Sequence, residues 1–162
     1  MTLDNRKITK ELTNKIKTTY IKNSAASLSA CTLCPRNCKA DRNSGKTGFC
    51  GVDSTIYLAR AALHMWEEPC ISGKKGSGAV FFSGCGLRCC FCQNHDIAIG
   101  SRGLPVTVER LSEIFLELKE KGAANINLVT GTHYVPQIIQ ALDMAGEKGM
   151  DLPVVYNSSG YE

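Results

Sequence analysis

From Ala79 onward the chain alternates short apolar runs with amphipathic helical stretches, and this alternation limits the fold more than any other feature of its 162 residues. Ala79-Val-Phe-Phe-Ser83 reads as a short buried strand. Leu104 to Val106 leads into a helix capped by Thr107, with Val108, Leu111, Ile114, Phe115 and Leu118 on its apolar face and Gly122 as its stop. Asn125 to Thr130 reads as a second strand. A second helix has Pro136 in its first turn, Val135, Ile138, Ile139 and Leu142 along one face, and Gly149 at its end. Pro153 to Asn157 is the third strand. Such an order predicts parallel strands joined by right-handed crossovers. Ligands of these sheets collect at the carboxyl ends of the strands. Here those ends are the segments 83–94, 130–134 and 157–161.

Upstream the character differs. Residues 5–22 have Ile8, Leu12, Ile16 and Tyr20 at every fourth position and predict a helix, with an Ala/Ser linker after it. Residues 31–50 are rich in Cys, Arg, Asn and Gly, a loop module organised by something other than an apolar core. Residues 55–63 suit a strand. Three parts follow: 1–30, the helix and linker; 31–75, a Cys-rich element and lead-in; and 76–162, the α/β portion. After the third strand no helix remains to cover it, which predicts a truncated product or a chain that needs a partner half.

Charge is uneven. Residues 1–50 carry ten Lys/Arg against three Asp/Glu, and the remainder nine against twelve. The basic leader fits a solvated helix face better than a nucleic-acid surface, and nucleic acid is disfavoured as a partner. No apolar run approaches the ~20 residues that span a bilayer. Residues 1–20 lack the apolar stretch of a signal peptide, so a cytoplasmic location is expected.

Nine cysteines in such a chain point to metal ligands rather than disulfides, and their odd number prevents complete pairing within the chain. Cys85, Cys89 and Cys92 are spaced C-x3-C-x2-C at the carboxyl end of the first of the three strands. Three thiolates on a tight loop can hold three irons of a cubane and leave the fourth iron open, whereas electron-transfer clusters use four. Gly84 and Gly86 allow close backbone approach. Cys90 is adjacent to a ligand and reads as a small buried side chain, with a swapped ligand as the alternative; Cys70 also reads as packing.

Phe91 directly before Cys92 completes C-x3-C-x-aromatic-C, which resembles the radical S-adenosylmethionine (SAM) signature. Glu67 to Gly73, Gly76-Ser-Gly78 and Phe82 to Asn94 resemble the branch related to pyruvate formate-lyase activating enzymes, and Cys31 to Cys38 with Gly48-Phe-Cys50-Gly51 resembles its amino-terminal element. The resemblance implies an incomplete (β/α) barrel of parallel strands. It also implies a [4Fe-4S] cluster on Cys85, Cys89 and Cys92, with SAM chelated at the open iron. An electron from flavodoxin or ferredoxin would cleave SAM to methionine and a 5′-deoxyadenosyl radical. In that branch the hydrogen donor is a glycine of a glycyl radical enzyme. Phe91 would lie near the adenine. The place of the family's Gly-Gly-Glu motif holds Thr130-Gly131-Thr132-His133, which lacks the acidic residue, so backbone carbonyls or Thr132 would meet the amino group. Asn157 and Ser158 would meet the methionyl or ribose groups.

Cys31, Cys34, Cys38 and Cys50 form C-x2-C-x3-C-x11-C, a thiolate set suited to zinc or to a second iron–sulfur cluster. Arg36 and Arg42 are placed to meet thiolate charge, a partner or solvent. Of the histidines, His133 is the one expected to line the pocket, His95 to tune the cluster or reach solvent, and His64 to be structural. Trp66 reads as core or as cover over the cluster. Three rivals to the enzyme are an electron-transfer iron–sulfur protein, a zinc-stabilised binding module, and a fragment that holds a cluster without turnover.

Overall fold

The computed structural model describes residues 28–100 and 102–161; the helix expected over 5–22 lies outside them. Five strands form one sheet: β1 (Ile56–His64), β2 (Ser77–Phe82), β3 (Leu104–Val106), β4 (Ile126–Val129) and β5 (Val154–Asn157), in the order β3-β1-β2-β4-β5. The half from β2 to β5 is parallel as expected, with Val80 opposite Leu128 and Leu128 opposite Tyr156. The other half corrects the all-parallel reading. β1 pairs antiparallel with both β2 and β3, and Leu104 to Val106 is a strand rather than a lead-in. A hairpin-like return needs only the short α1 (Pro69–Ser72) between β1 and β2, too little for a parallel crossover.

Two longer helices cover one face of the sheet. α3 (Val108–Glu120) starts where the Thr107 side chain accepts the amide of Arg110, so the expected cap is in place. Leu111, Phe115 and Leu118 are fully buried, worth ~2 kcal/mol apiece in apolar burial. They meet Val80, Phe82, Ile126 and Leu128 from the sheet. α4 (Val135–Glu147) has Pro136 in its first turn as expected, but its most buried face is Pro136, Ile138, Ala141 and Ala145. Val135, Ile139 and Leu142 lie only half-buried, because the small Ala141 and Ala145 face the core. A short α2 (His95–Ala98) follows the Cys85–Cys92 loop.

Three apolar expectations fail. Trp66 is 89% exposed and is neither core nor cover. Cys90 and Cys70 are exposed rather than packed. Each sits on a loop or on the single-turn α1, where no second layer among the described residues lies over it. Among the described residues no helix is long and apolar enough to cross a membrane.

Candidate functional site

The loop from Cys85 to Cys92 springs from the carboxyl end of β2, beside the ends of β4 and β5, so the parallel half of the sheet positions it as expected. Its base is pinned. Ser83 donates its amide to Tyr57, gives its hydroxyl to the Arg102 carbonyl, and offers its own carbonyl to the His133 ring at 2.8 Å. Gly84 comes so close to the Cys50 carbonyl that a Cβ would lie 2.7 Å from it, and the Cys85 amide donates to that same carbonyl at 3.2 Å. Gly84 thus serves approach to the first cysteine element. Beyond Cys85 the loop carries few bonds: the Leu87 amide points at the Cys85 sulfur at 3.4 Å, and the Cys92 amide reaches the Cys89 carbonyl at 3.2 Å.

Cys85, Cys89 and Cys92 are all half-buried, Cys90 is exposed, and none of the four is in a disulfide. Three soft thiols of matching exposure on one loop, one already accepting an amide N–H, are a donor set that fits an iron–sulfur cluster. Among the described residues no three His, Cys, Asp or Glu side chains are gathered closely enough, as they stand, to hold a metal ion.

Cys85 lines a small pocket with Thr130, Thr132, His133 and Tyr161, and Cys34 of the first element shares it. The expected Thr130 and Thr132 are therefore beside Cys85, at the carboxyl end of β4. Thr130 has a φ of 59°, a conformation costly for a β-branched residue, and is held there by its amide bond to the Asn157 carbonyl. Thr132 accepts the Tyr156 hydroxyl at 2.9 Å. Gly131 is buried beneath Ile138 and Phe82. Phe91 (87% exposed), Asn157 and Ser158 stand at the surface and do not line this pocket.

His133 lines the pocket as expected, but its ring is committed. Burial pulls it down to about 4, against a small upward pull from the Ser83 carbonyl. It is neutral at pH 7, so the ring nitrogen facing that carbonyl carries the proton and donates it. Of the other histidines, His95 is exposed and His64 lies 3.7 Å from Glu67.

Sequence reasoning missed the role of Arg42. It is 0% exposed and ties three segments together: it donates to the Asp53 carbonyl at 3.0 and 2.5 Å, to the His133 carbonyl at 2.7 Å, and reaches the Cys31 sulfur at 3.9 Å. Arg36 donates to the Gly86 carbonyl at 2.8 Å and stacks on Phe49, with its guanidinium carbon 3.7 Å from the ring centre. The Cys/Arg density of residues 31–50 was the available signal, but it did not say which arginine turns inward.

Comparison with known proteins agrees with this geometry. An uncharacterised protein of Methanocaldococcus jannaschii is 29% identical over 138 residues, which cover 81% of this chain and 39% of that relative. The chain thus spans well under half the length of this curated relative. No solved structure matches. The sequence profile of the radical SAM superfamily matches residues 79–162, the stretch that contains β2, the cysteine loop and the parallel half of the sheet; the chain belongs to the radical SAM superfamily.

Proposed function

We propose that Cys85, Cys89 and Cys92 hold a [4Fe-4S] cluster and that the chain binds SAM along the open strand ends, with only its amino end at the small pocket of about 50 Å³ beside Cys85. The observation that carries this reading is the shared lining of that pocket by Cys85, Thr130 and Thr132, at the carboxyl ends of parallel strands in a radical SAM protein. When bound, the cluster supplies the electron for reductive cleavage of SAM. The chain's own residues do the rest. Ser83, fixed through its amide, hydroxyl and carbonyl, holds the base of the loop, so the first thiol leaves the sheet in one direction. The backbone at Thr130 and the hydroxyl of Thr132 offer oxygen acceptors for the amino group of SAM, in place of a carboxylate. Neutral His133 adds no charge to the pocket, which favours a cationic sulfonium ligand over an imidazolium's repulsion. Asn157 and Ser158, exposed after β5, are left for the methionyl or ribose end, and Phe91 for the adenine.

The exposed loop leaves a cluster near the surface, within reach of flavodoxin or ferredoxin. An activating role toward a glycyl radical enzyme rests on the resemblance of residues 31–38, 48–51 and 67–94 alone. The test is anaerobic reconstitution, reduction, addition of SAM and measurement of 5′-deoxyadenosine, with the cluster's spectrum followed before and after SAM. Product and a SAM-dependent spectral change are expected. An intact cluster that ignores SAM and yields no product leaves an electron-transfer protein instead.

A further inference from the structure

Cys38 and Cys50 gather around Gly48. A Cβ on that residue would lie 3.0 Å from the Cys38 sulfur and 3.6 Å from the Cys50 sulfur, so its absence is what lets the thiols approach. The backbone amides of Ala40 and Phe49 and the Cys31 thiol lie against the Cys38 sulfur. Amides aimed at sulfur are the environment a metal-bound thiolate needs. The buried guanidinium of Arg42 lies against this group, with its nearest sulfur 3.9 Å away. Among the described residues it bonds two carbonyls and that thiol and lies 5.7 Å from the centre of the Tyr134 ring, and no carboxylate pairs with it. A guanidinium keeps its proton, and an uncompensated buried charge costs several kcal/mol. Thiolates around a divalent ion leave a net negative charge, the sign that Arg42 is buried to meet.

The same element grips the cluster loop. The Cys50 carbonyl accepts the Cys85 amide, Arg36 holds the Gly86 carbonyl, and the Arg88 side chain packs on Gly51. We propose that Cys31, Cys34, Cys38 and Cys50 bind one structural Zn2+, and that this ion sets the conformation of the Cys85–Cys92 loop through Cys50 and Arg36. Cys34 supplies the fourth thiol; it sits on a tight turn, in which the Asn37 amide bonds the Cys34 carbonyl at 3.0 Å, and it also lines the pocket beside Cys85. Zinc is the ion chosen because four thiolates with this short spacing suit a closed tetrahedral site. The inference rests on the reading above only for what the loop carries; zinc binding is independent of it.

The test uses the full chain with Cys85, Cys89 and Cys92 all changed to Ser, beside the wild type. Both are expected to carry one equivalent of zinc by elemental analysis, and to show thiolate-to-cobalt charge-transfer bands after Co2+ exchange. Cys31→Ser, Cys38→Ser and Cys50→Ser are expected to lose the zinc. Chelation of the wild type, which needs no variant to fold, is expected to speed amide exchange at Cys85 and Leu87 at least ~10-fold. Zinc absent from the triple variant overturns the proposal, as does iron–sulfur absorbance there, zinc indifferent to the three Ser variants, or loop exchange indifferent to chelation. Failure of SAM cleavage with zinc and exchange behaving as stated overturns only the preceding reading.

Discussion

The two cysteine elements are built in opposite ways. In residues 31–50 Cys31 and Cys50 are buried, Cys34 is half-buried, Cys38 reaches the surface, and a fully buried arginine bolts the group to the β4 end of the sheet. In residues 85–92 no thiol is buried, Phe91 and Cys90 project into solvent, and the loop is held at its base and at Gly86. A metal that serves structure has every position filled by the protein, while one that meets a substrate must leave a position open. The protein spends its rigidity on the first element and lends it to the second through Cys50, Arg36 and Ser83.

The largest effect should come from the open element. Cys85→Ser, Cys89→Ser or Cys92→Ser is expected to abolish the cluster and drop 5′-deoxyadenosine to background, while Cys90→Ala leaves both intact by iron analysis and product assay. Loss of the cluster in Cys90→Ala would break the ligand assignment. Next is the bolt of the closed element. Arg42→Met leaves the Asp53 and His133 carbonyls without donors and is expected to cost about 3 kcal/mol in urea denaturation. If it costs less than 1 kcal/mol, the two elements are not braced as described.

The bolt also has a pH signature. His133 titrates at about 4 when folded and near 6.5 otherwise. Below pH 6.5 the unfolded chain takes up a proton that the folded chain refuses, so stability falls as pH drops through the window from 6.5 to about 4. The loss totals about 3 kcal/mol, and His133→Gln should flatten that slope in pH-dependent denaturation. Arg36→Ala should have the smallest effect, under about 1 kcal/mol in stability, because its bond to Gly86 is exposed. Its readout is faster exchange of the loop amides with the core amides unchanged.

The parallel half of the fold was legible because local signals agreed there: Thr107 before α3, Pro136 in α4, and apolar runs of strand length. The place of Cys85 beside Thr130 and Thr132 followed from a general rule about strand ends. The antiparallel half was less legible. Nothing in Thr55 to Leu63 encodes the direction of its neighbours, and Leu104 to Val106 is short enough to pass for a connection. Side-chain direction was the other blind spot. An arginine reads as surface until a long-range contact buries it, and Trp66 or Cys90 reads as interior until no second layer arrives. The first element's packing depends on His133 and Asp53, residues that no local pattern ties to Arg42.

The bond from Arg42 to the His133 carbonyl joins residues 91 apart. At roughly 5–20 residues per second of synthesis, its two ends emerge about 5–18 s apart. Through that interval the amino-terminal thiols lack the β4 end of the sheet, and the Cys85–Cys92 loop appears before the strand that completes its pocket. Assembly therefore has an order: the early cysteines emerge first, the β4 end closes over them later, and the loop settles only after both.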